Sequence, residues 1–334
     1  MFAKRSDPNG QSNETHLVKL ISLIPVPYYQ GWSLVSLIFL LISSVLLVLS
    51  EDKMMHIDAF FIVSVIIALE GAIISWAHSR IASFEDILIS IVDLPADDVI
   101  KAWQRQAEEI FDNRKMFLFS IAFIIFVHMA GIDYHLVSFE SHLSFLTFKL
   151  GYYFAVYLEG AGLYILILTA LTVYKIGDFP LRIGALYSDF HSIGVLYSKF
   201  TICAAVVYVV WGFFHIVVPP QFSSVQMVLW FFSFAFLLFA YFLLPQYRIH
   251  RMMISTKKEK MELFSSQLRA AMDGSLEIPT KESANHLKDL FIVQDKLNQM
   301  SEWPFGRQEI LYIVLVILIP LAVVLMEIAL GIIK

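Results

Sequence analysis

The stretch IDAFFIVSVIIALEGAIISWA, residues Ile57–Ala77, decides the fold. It is long enough to cross roughly 30 Å of hydrocarbon as a helix. Beyond Asp58 at its outer edge it carries a single charge, Glu70. Six more stretches read the same way: Trp32–Ser50, Met116–Ile132, Thr147–Tyr174, Phe200–Val218, Val225–Leu244 and Ile310–Ile333. The expected fold class is an all-α polytopic membrane protein with seven transmembrane helices. A chain that is 58% hydrophobic and 16% charged, with mean hydropathy +0.70, lies outside the range of soluble globular domains.

The basic residues orient these helices. Of 24 Lys and Arg, 21 fall in the N-terminal segment and in the second–third, fourth–fifth and sixth–seventh connections. Only Lys53, Lys149 and Lys334 lie on the other face. Positively charged connections stay inside, so the N-terminus is expected inside and the C-terminus outside, in a multi-pass protein of the cell (plasma) membrane. The first 31 residues lack the design of a cleaved leader, and Leu17–Pro25 is expected to lie along the inner surface. Glu51, Asp52, Asp58, Asp133 and Glu140 make the outer connections acidic, a face that concentrates cations. Cys203 is the one cysteine, so there is no disulfide framework.

The segments expected from this reading are an inner N-terminal piece at 1–31, a six-helix region at 32–244, a cytoplasmic hairpin at 245–309 and a seventh helix at 310–333. Inner helices are expected at 84–115 and 178–199. In Asp97–Lys115, Ile100, Trp103, Ala107 and Ile110 share one helix face after Pro95. Nothing breaks the pattern before Met116, so this helix is expected to run into the third span and project into the cytosol. In the hairpin, Met261, Phe264, Leu268 and Ala271 form one seam, and Leu290, Val293, Leu297 and Met300 form another, with a break between Gly274 and Pro279. With Trp303, the second set are candidates for an oligomer anchor; shielding of one helix by the other within the chain is the plainer alternative. The hairpin is nearly neutral, unlike a nucleic-acid-binding surface. A near-duplicate, Ile183–Phe190 and Ile193–Phe200, is too short for a solenoid and reads as chance similarity in an inner amphipathic helix.

Glu70 and Glu159 are the residues of greatest interest. Each sits about a dozen residues into its span, where a carboxylate costs several kcal/mol unless protonated, paired or wet. Both occur in the same string, Leu69-Glu70-Gly71-Ala72 and Leu158-Glu159-Gly160-Ala161, which suggests that spans one–two and three–four are parallel repeats. Ser64, Ala68, Gly71 and Ser75 line one helix face, and Ala155, Glu159, Gly162 and Thr169 line another. Small residues of this kind permit close helix approach. Two titratable carboxyls point to a proton or cation pathway; protonated glutamates bonded between helices are the alternative.

Glu327 lies in the outer third of the last span. Pro320, mid-span, frees the carbonyl of Val316 and predicts a kink suited to a gate. His128, His135, His142 and His215 fall toward the outer side near Asp133, a set that could sense pH or hold an outer ligand. None has the spacing of a metal site, so no metal or cofactor is expected. Nor is an enzyme: there is no Gly-x-Ser-x-Gly elbow, no phosphate loop and no Cys-x-x-Cys.

Seven spans, inside N-terminus, short outer connections and long inner helices before the last span resemble the seven-transmembrane ion channel superfamily that includes insect odorant and gustatory receptors. Leu311-Tyr312 stands near the start of the last span, without the glutamine that follows in gustatory receptors. The resemblance implies a homo-oligomer, with Ile310–Ile333 lining a central pore and Val316, Pro320 and Glu327 along it. It also implies that Asp97–Lys115 and Tyr247–Trp303 supply the anchor between subunits. The leading expectation is thus an oligomeric cation channel in a lipid bilayer. A proton- or cation-coupled transporter using Glu70 and Glu159 is the second, and a sensor or assembly protein signalling through its inner helices the third.

Overall fold

The computed structural model describes residues 15–22, 27–49, 57–129, 141–176, 187–217, 224–277 and 281–299, with scattered positions between 302 and 322. Nearly all of these are helical. The elements are α1 (His16–Ser22), α2 (Tyr28–Leu49), α3 (Ile57–Ala82), α4 (Glu85–Ile91), α5 (Ala96–Ile110), α6 (Asn113–Met129), α7 (His142–Ile176), α8 (Tyr187–Val217), α9 (Ser224–Glu277) and α10 (Lys281–Gln299). Four stretches among the described residues are long and apolar enough to cross a membrane: Tyr28–Leu49, Ile57–Ile91, His142–Lys175 and Phe190–Phe214. The second joins α3 and α4. Of the other expected spans, Met116–Ile132 begins inside α6 and Val225–Leu244 lies inside α9. Most of Ile310–Ile333, including Val316, Pro320 and Glu327, lies outside the described residues.

Helix α2 shows the environment these helices are built for. It buries Gly31, Trp32, Ser36, Ser43 and Leu47 and exposes Leu34, Leu37, Ile38, Leu41, Ile42, Val45 and Val48. Trp32 and Leu47 aside, the inward groups are small or polar while large aliphatic ones point out, the distribution suited to a hydrocarbon surround. Hydroxyls inside the helices return to the carbonyl one turn back: Ser43 to Phe39, Ser64 to Phe60, Ser120 to Met116 and Thr169 to Ile165, at 2.7–2.9 Å. Between helices, Ser36 donates to the Ser64 carbonyl at 2.6 Å and the Trp32 indole to Ser75 at 2.9 Å, pinning α2 to α3.

Close approach is marked at Gly71, Gly160 and Gly151, the last of which faces the Phe39 ring of α2. A Cβ on Gly71 would sit 2.1 Å from the Trp32 ring of α2, and one on Gly160 would sit 2.9 Å from the backbone of Ser120 on α6. Each glycine of the twin Leu-Glu-Gly-Ala strings therefore faces the preceding long helix. Gly162, grouped with the packing face in the sequence, does not share this role: its Cβ position opens onto empty space.

The segments expected on the inner side depart from expectation. Helix α5 ends at Ile110 and α6 starts afresh at Asn113, because the Asp112 carboxylate accepts the N–H groups of Arg114 and Lys115 at 2.9 and 3.1 Å. An aspartate in that position caps a new helix instead of continuing the old one. Nor does α5 project away. Its Trp103 indole donates to the Ile81 carbonyl at 3.1 Å and its ring packs on Phe84, while Tyr164 of α7 donates to the Glu109 carbonyl at 2.9 Å. Of the expected face, Trp103 and Ile110 are buried and Ile100 and Ala107 half-buried, with Val99 buried beside them. Helix α1 is tucked against α2 and α3 through buried Leu17 and Ile21. His16 fastens it: Asn113 Oδ1 accepts both its backbone N–H (2.7 Å) and Nδ1 (2.8 Å), which leaves Nε2 to accept from the Tyr157 hydroxyl at 2.6 Å.

Beyond the bundle, α9 continues unbroken through Gly274, and α10 packs back along it. Phe264 is buried on the expected seam, with Met261 and Leu268 half-buried. Helix α8 likewise runs from the inner segment through the fifth expected span without a break.

Gly160→Ala should push α6 from α7 and cost about 1–3 kcal/mol in reversible unfolding from detergent. Gly162→Ala, with nothing to strike, should be neutral or stabilising by up to about 1 kcal/mol. Equal effects would remove the assignment of Gly160 as the point of closest approach.

Candidate functional site

The two glutamates singled out in the sequence lie on neighbouring helices. Helices α3 and α7 pack along each other, and the Glu159 carboxyl lies within electrostatic reach of Glu70. Glu70 is 3% exposed; Glu159 is half-buried. A third helix completes the arrangement: the Trp211 indole of α8 donates to Glu70 Oε1 at 2.9 Å. Glu70 Oε2 has no hydrogen-bond partner among the described residues. Charge without a hydrogen bond on that oxygen would be costly to bury, which makes it the open acceptor of the site.

Aromatic rings wall one side. Tyr152 meets Trp211 edge-on at 6.1 Å and stacks on Phe214 at 6.0 Å, and Trp211 meets Phe214 edge-on at 5.4 Å. Tyr152 and Phe214 hold the Trp211 indole between them, so its N–H is a fixed donor. Two carboxyls and one fixed N–H can keep a proton between helices or, with both carboxyls ionised, hold a single cation. Among the described residues no three His, Cys, Asp or Glu side chains gather as a larger donor set.

The remaining candidates do not converge here. His128 is exposed at the end of α6, with its Nδ1 3.4 Å from the Tyr153 hydroxyl, and His142 is exposed at the start of α7. Asp133 and His135, and the side chain of His215, lie outside the described residues. Of the anchor candidates, Trp303 is engaged within its own chain: it stacks on His250 with ring centroids 3.8 Å apart and planes at 6°. His250 Nδ1 donates to the Glu302 carbonyl at 2.6 Å, and Lys257 meets the Glu302 carboxylate at 3.2 Å. Leu290 is half-buried, Val293 is 44% exposed, and Met300 and the Leu297 side chain lie outside the described residues.

Trp211 is the site residue that sequence reading passed over. The signal was present, since an indole N–H inside an apolar helix needs an acceptor. Its position on α8 does not by itself say which carboxyl it serves.

Removing the donor alone strands a buried acceptor, so Trp211→Phe should cost about 1–3 kcal/mol of stability. Glu70→Leu combined with Trp211→Phe should cost less than the sum of the two single losses, because both partners of the bond are then gone. Strict additivity in that cycle, read by thermal unfolding in detergent, would show that the bond contributes nothing.

Set beside known proteins, the chain matches no family model, no curated protein and no solved structure.

Proposed function

We propose that this chain moves protons or small cations across a lipid bilayer, with the Glu70–Glu159 pair as the binding site inside the bundle. The observation that carries the reading is a buried carboxyl, Glu70, held by an indole donor from another helix, with a second carboxyl, Glu159, on a neighbouring apolar helix within electrostatic reach of it. Acidic groups at such depth are expensive and mark ion or proton pathways. In this reading the chain is a multi-pass protein of the plasma membrane with seven crossing helices, the N-terminus inside and the C-terminus outside. The twin Leu-Glu-Gly-Ala strings, each with its glycine against the preceding long helix, suit a transporter built from two like halves.

Coupled transport thereby moves ahead of the pore reading. An oligomeric channel lined by Val316, Pro320 and Glu327, like the receptor channels that the topology resembles, draws its support from the acidic outer connections and the expected Pro320 kink. It makes a different demand on the molecule, since its pathway lies at the seventh helix between subunits, away from the acidic pair.

Purified protein in liposomes, driven by an imposed membrane potential and read by an enclosed pH-sensitive dye, tests the two. Wild-type protein should acidify or alkalinise the lumen according to the sign of the potential. Glu70→Gln and Glu159→Gln should each fall to the protein-free leak, with Glu327→Gln unchanged. Full flux in both glutamine variants would end the transport reading. Unitary currents in planar bilayers whose reversal potential moves in Glu327→Gln would favour the channel.

A further inference from the structure

Helix α9 carries Pro245 in its interior, between the part that packs in the bundle and the part that enters the hairpin. A proline there has no N–H for the carbonyl four residues back, which belongs to Tyr241. In most helices water or a kink answers such a carbonyl. Here the Tyr197 hydroxyl of α8 donates to it at 3.0 Å, and the Tyr197 and Tyr241 rings stack with centroids 5.0 Å apart. Directly after the proline, Gln246 returns the bond: its Nε2 donates to the Gly194 carbonyl of α8 at 3.3 Å. Gln246 is fully buried, and its Oε1 has no hydrogen-bond partner among the described residues. Two reciprocal bonds thus bracket the one position where the backbone ladder of α9 is interrupted.

Both bonds come from the second copy of the unexplained near-duplicate. Gly194, Tyr197 and Ser198 all lie in Ile193–Phe200, and Ser198 also donates to Gly194, at 2.8 Å. The same helix reaches the acidic pair further along. Tyr197 and Trp211 are 14 residues apart, close to four turns, and so lie on nearly the same side of α8 about 21 Å from each other. Tyr197, Thr201, Ala205, Tyr208 and Trp211 are all buried along that side.

We infer that Pro245 is a hinge, latched by Tyr197 and Gln246, through which the cytoplasmic α9–α10 hairpin regulates the Glu70–Glu159 site by way of α8. The inference rests on that pair being the working site. A change in hairpin position bends α9 at its one missing backbone bond, and Tyr197 must then follow or release the Tyr241 carbonyl. Either response loads α8, whose far end holds the only hydrogen bond seen on the Glu70 carboxyl among the described residues. Gln246 is held by less than its full set of bonds, which keeps the latch releasable.

Two spectroscopic readouts test this without relying on transport. Spin labels at exposed Leu237 and Leu263, in a Cys203→Ser background, report the bend of α9 as a distance distribution in lipid nanodiscs. 5-Fluorotryptophan labelling reports the site, the Trp211 resonance being the one lost in Trp211→Phe. Tyr197→Phe should broaden the distance distribution and shift the Trp211 resonance, and Gln246→Leu should do the same. Pro245→Ala restores the N–H to the Tyr241 carbonyl, so adding Tyr197→Phe to it should change neither readout further. An unchanged distribution in Tyr197→Phe and Gln246→Leu overturns the hinge, and a broadened distribution with an unmoved Trp211 resonance overturns its link to the site. Flux is measured on the same samples: wild-type protein without flux removes the transport reading, while the two spectra still decide the hinge.

Discussion

Where the surroundings are hydrocarbon, apolar contact does not choose which helix meets which, because lipid offers side chains the same company. The choice falls to polar groups that must find partners inside the bundle. Several of the helix pairings described above carry such a bond. Ser36 and Trp32 join α2 to α3, Trp211 joins α8 to α3, Tyr197 joins α8 to α9, and Trp103 and Tyr164 bind α5 to α3 and α7. Five of those six donors are on tyrosine or tryptophan rings placed where the ring is buried and only its polar edge must be answered. The glycines do the remaining work, since Gly71 and Gly160 admit a neighbour that any larger residue would strike.

Seen this way, the acidic pair is an extreme case of the same constraint. Serine, threonine and tyrosine hydroxyls can satisfy themselves on a carbonyl of their own or a neighbouring helix. An ionised carboxylate cannot, since it only accepts and needs donors, and an apolar helix has already spent its backbone N–H groups. Glu70 obtains one donor from a third helix and retains an oxygen without a hydrogen-bond partner among the described residues. That residual demand separates the pair from the bundle's structural polar groups.

Much of this was legible in the chain itself. The long apolar runs, the small-residue face beside Glu70, the stripe of α5 and the seam at Phe264 each correspond to what packs, because periodicity along a helix records which side must be buried. What could not be read were properties that belong to two segments at once. The end of α5 turned on whether Asp112 caps a new helix or rides an old one, and its Asp-Asn sequence permitted either. The destination of the Trp103 and Trp211 indoles depended on which helices lie alongside. Gly162 and Gly160 are two residues apart on one helix, and only the position of α6 tells which of them is crowded. Trp303 and His250, 53 positions apart, could not be paired before the return of α10 was known.

The unbroken length of α9 has a mechanical consequence. Its 54 residues extend for about 80 Å, and the portion beyond Pro245 for about 48 Å. With the proline as fulcrum, a change of only about 10° in the bend would sweep the far end of that portion through roughly 8 Å. Run in reverse, a modest sideways force at the tip arrives at the fulcrum as a large torque. A partner or a neighbouring copy would need to displace the tip only slightly, by the width of a side chain or two, for the strain to be concentrated on a few hydrogen bonds. The arm is an amplifier by geometry alone, whatever grips its end.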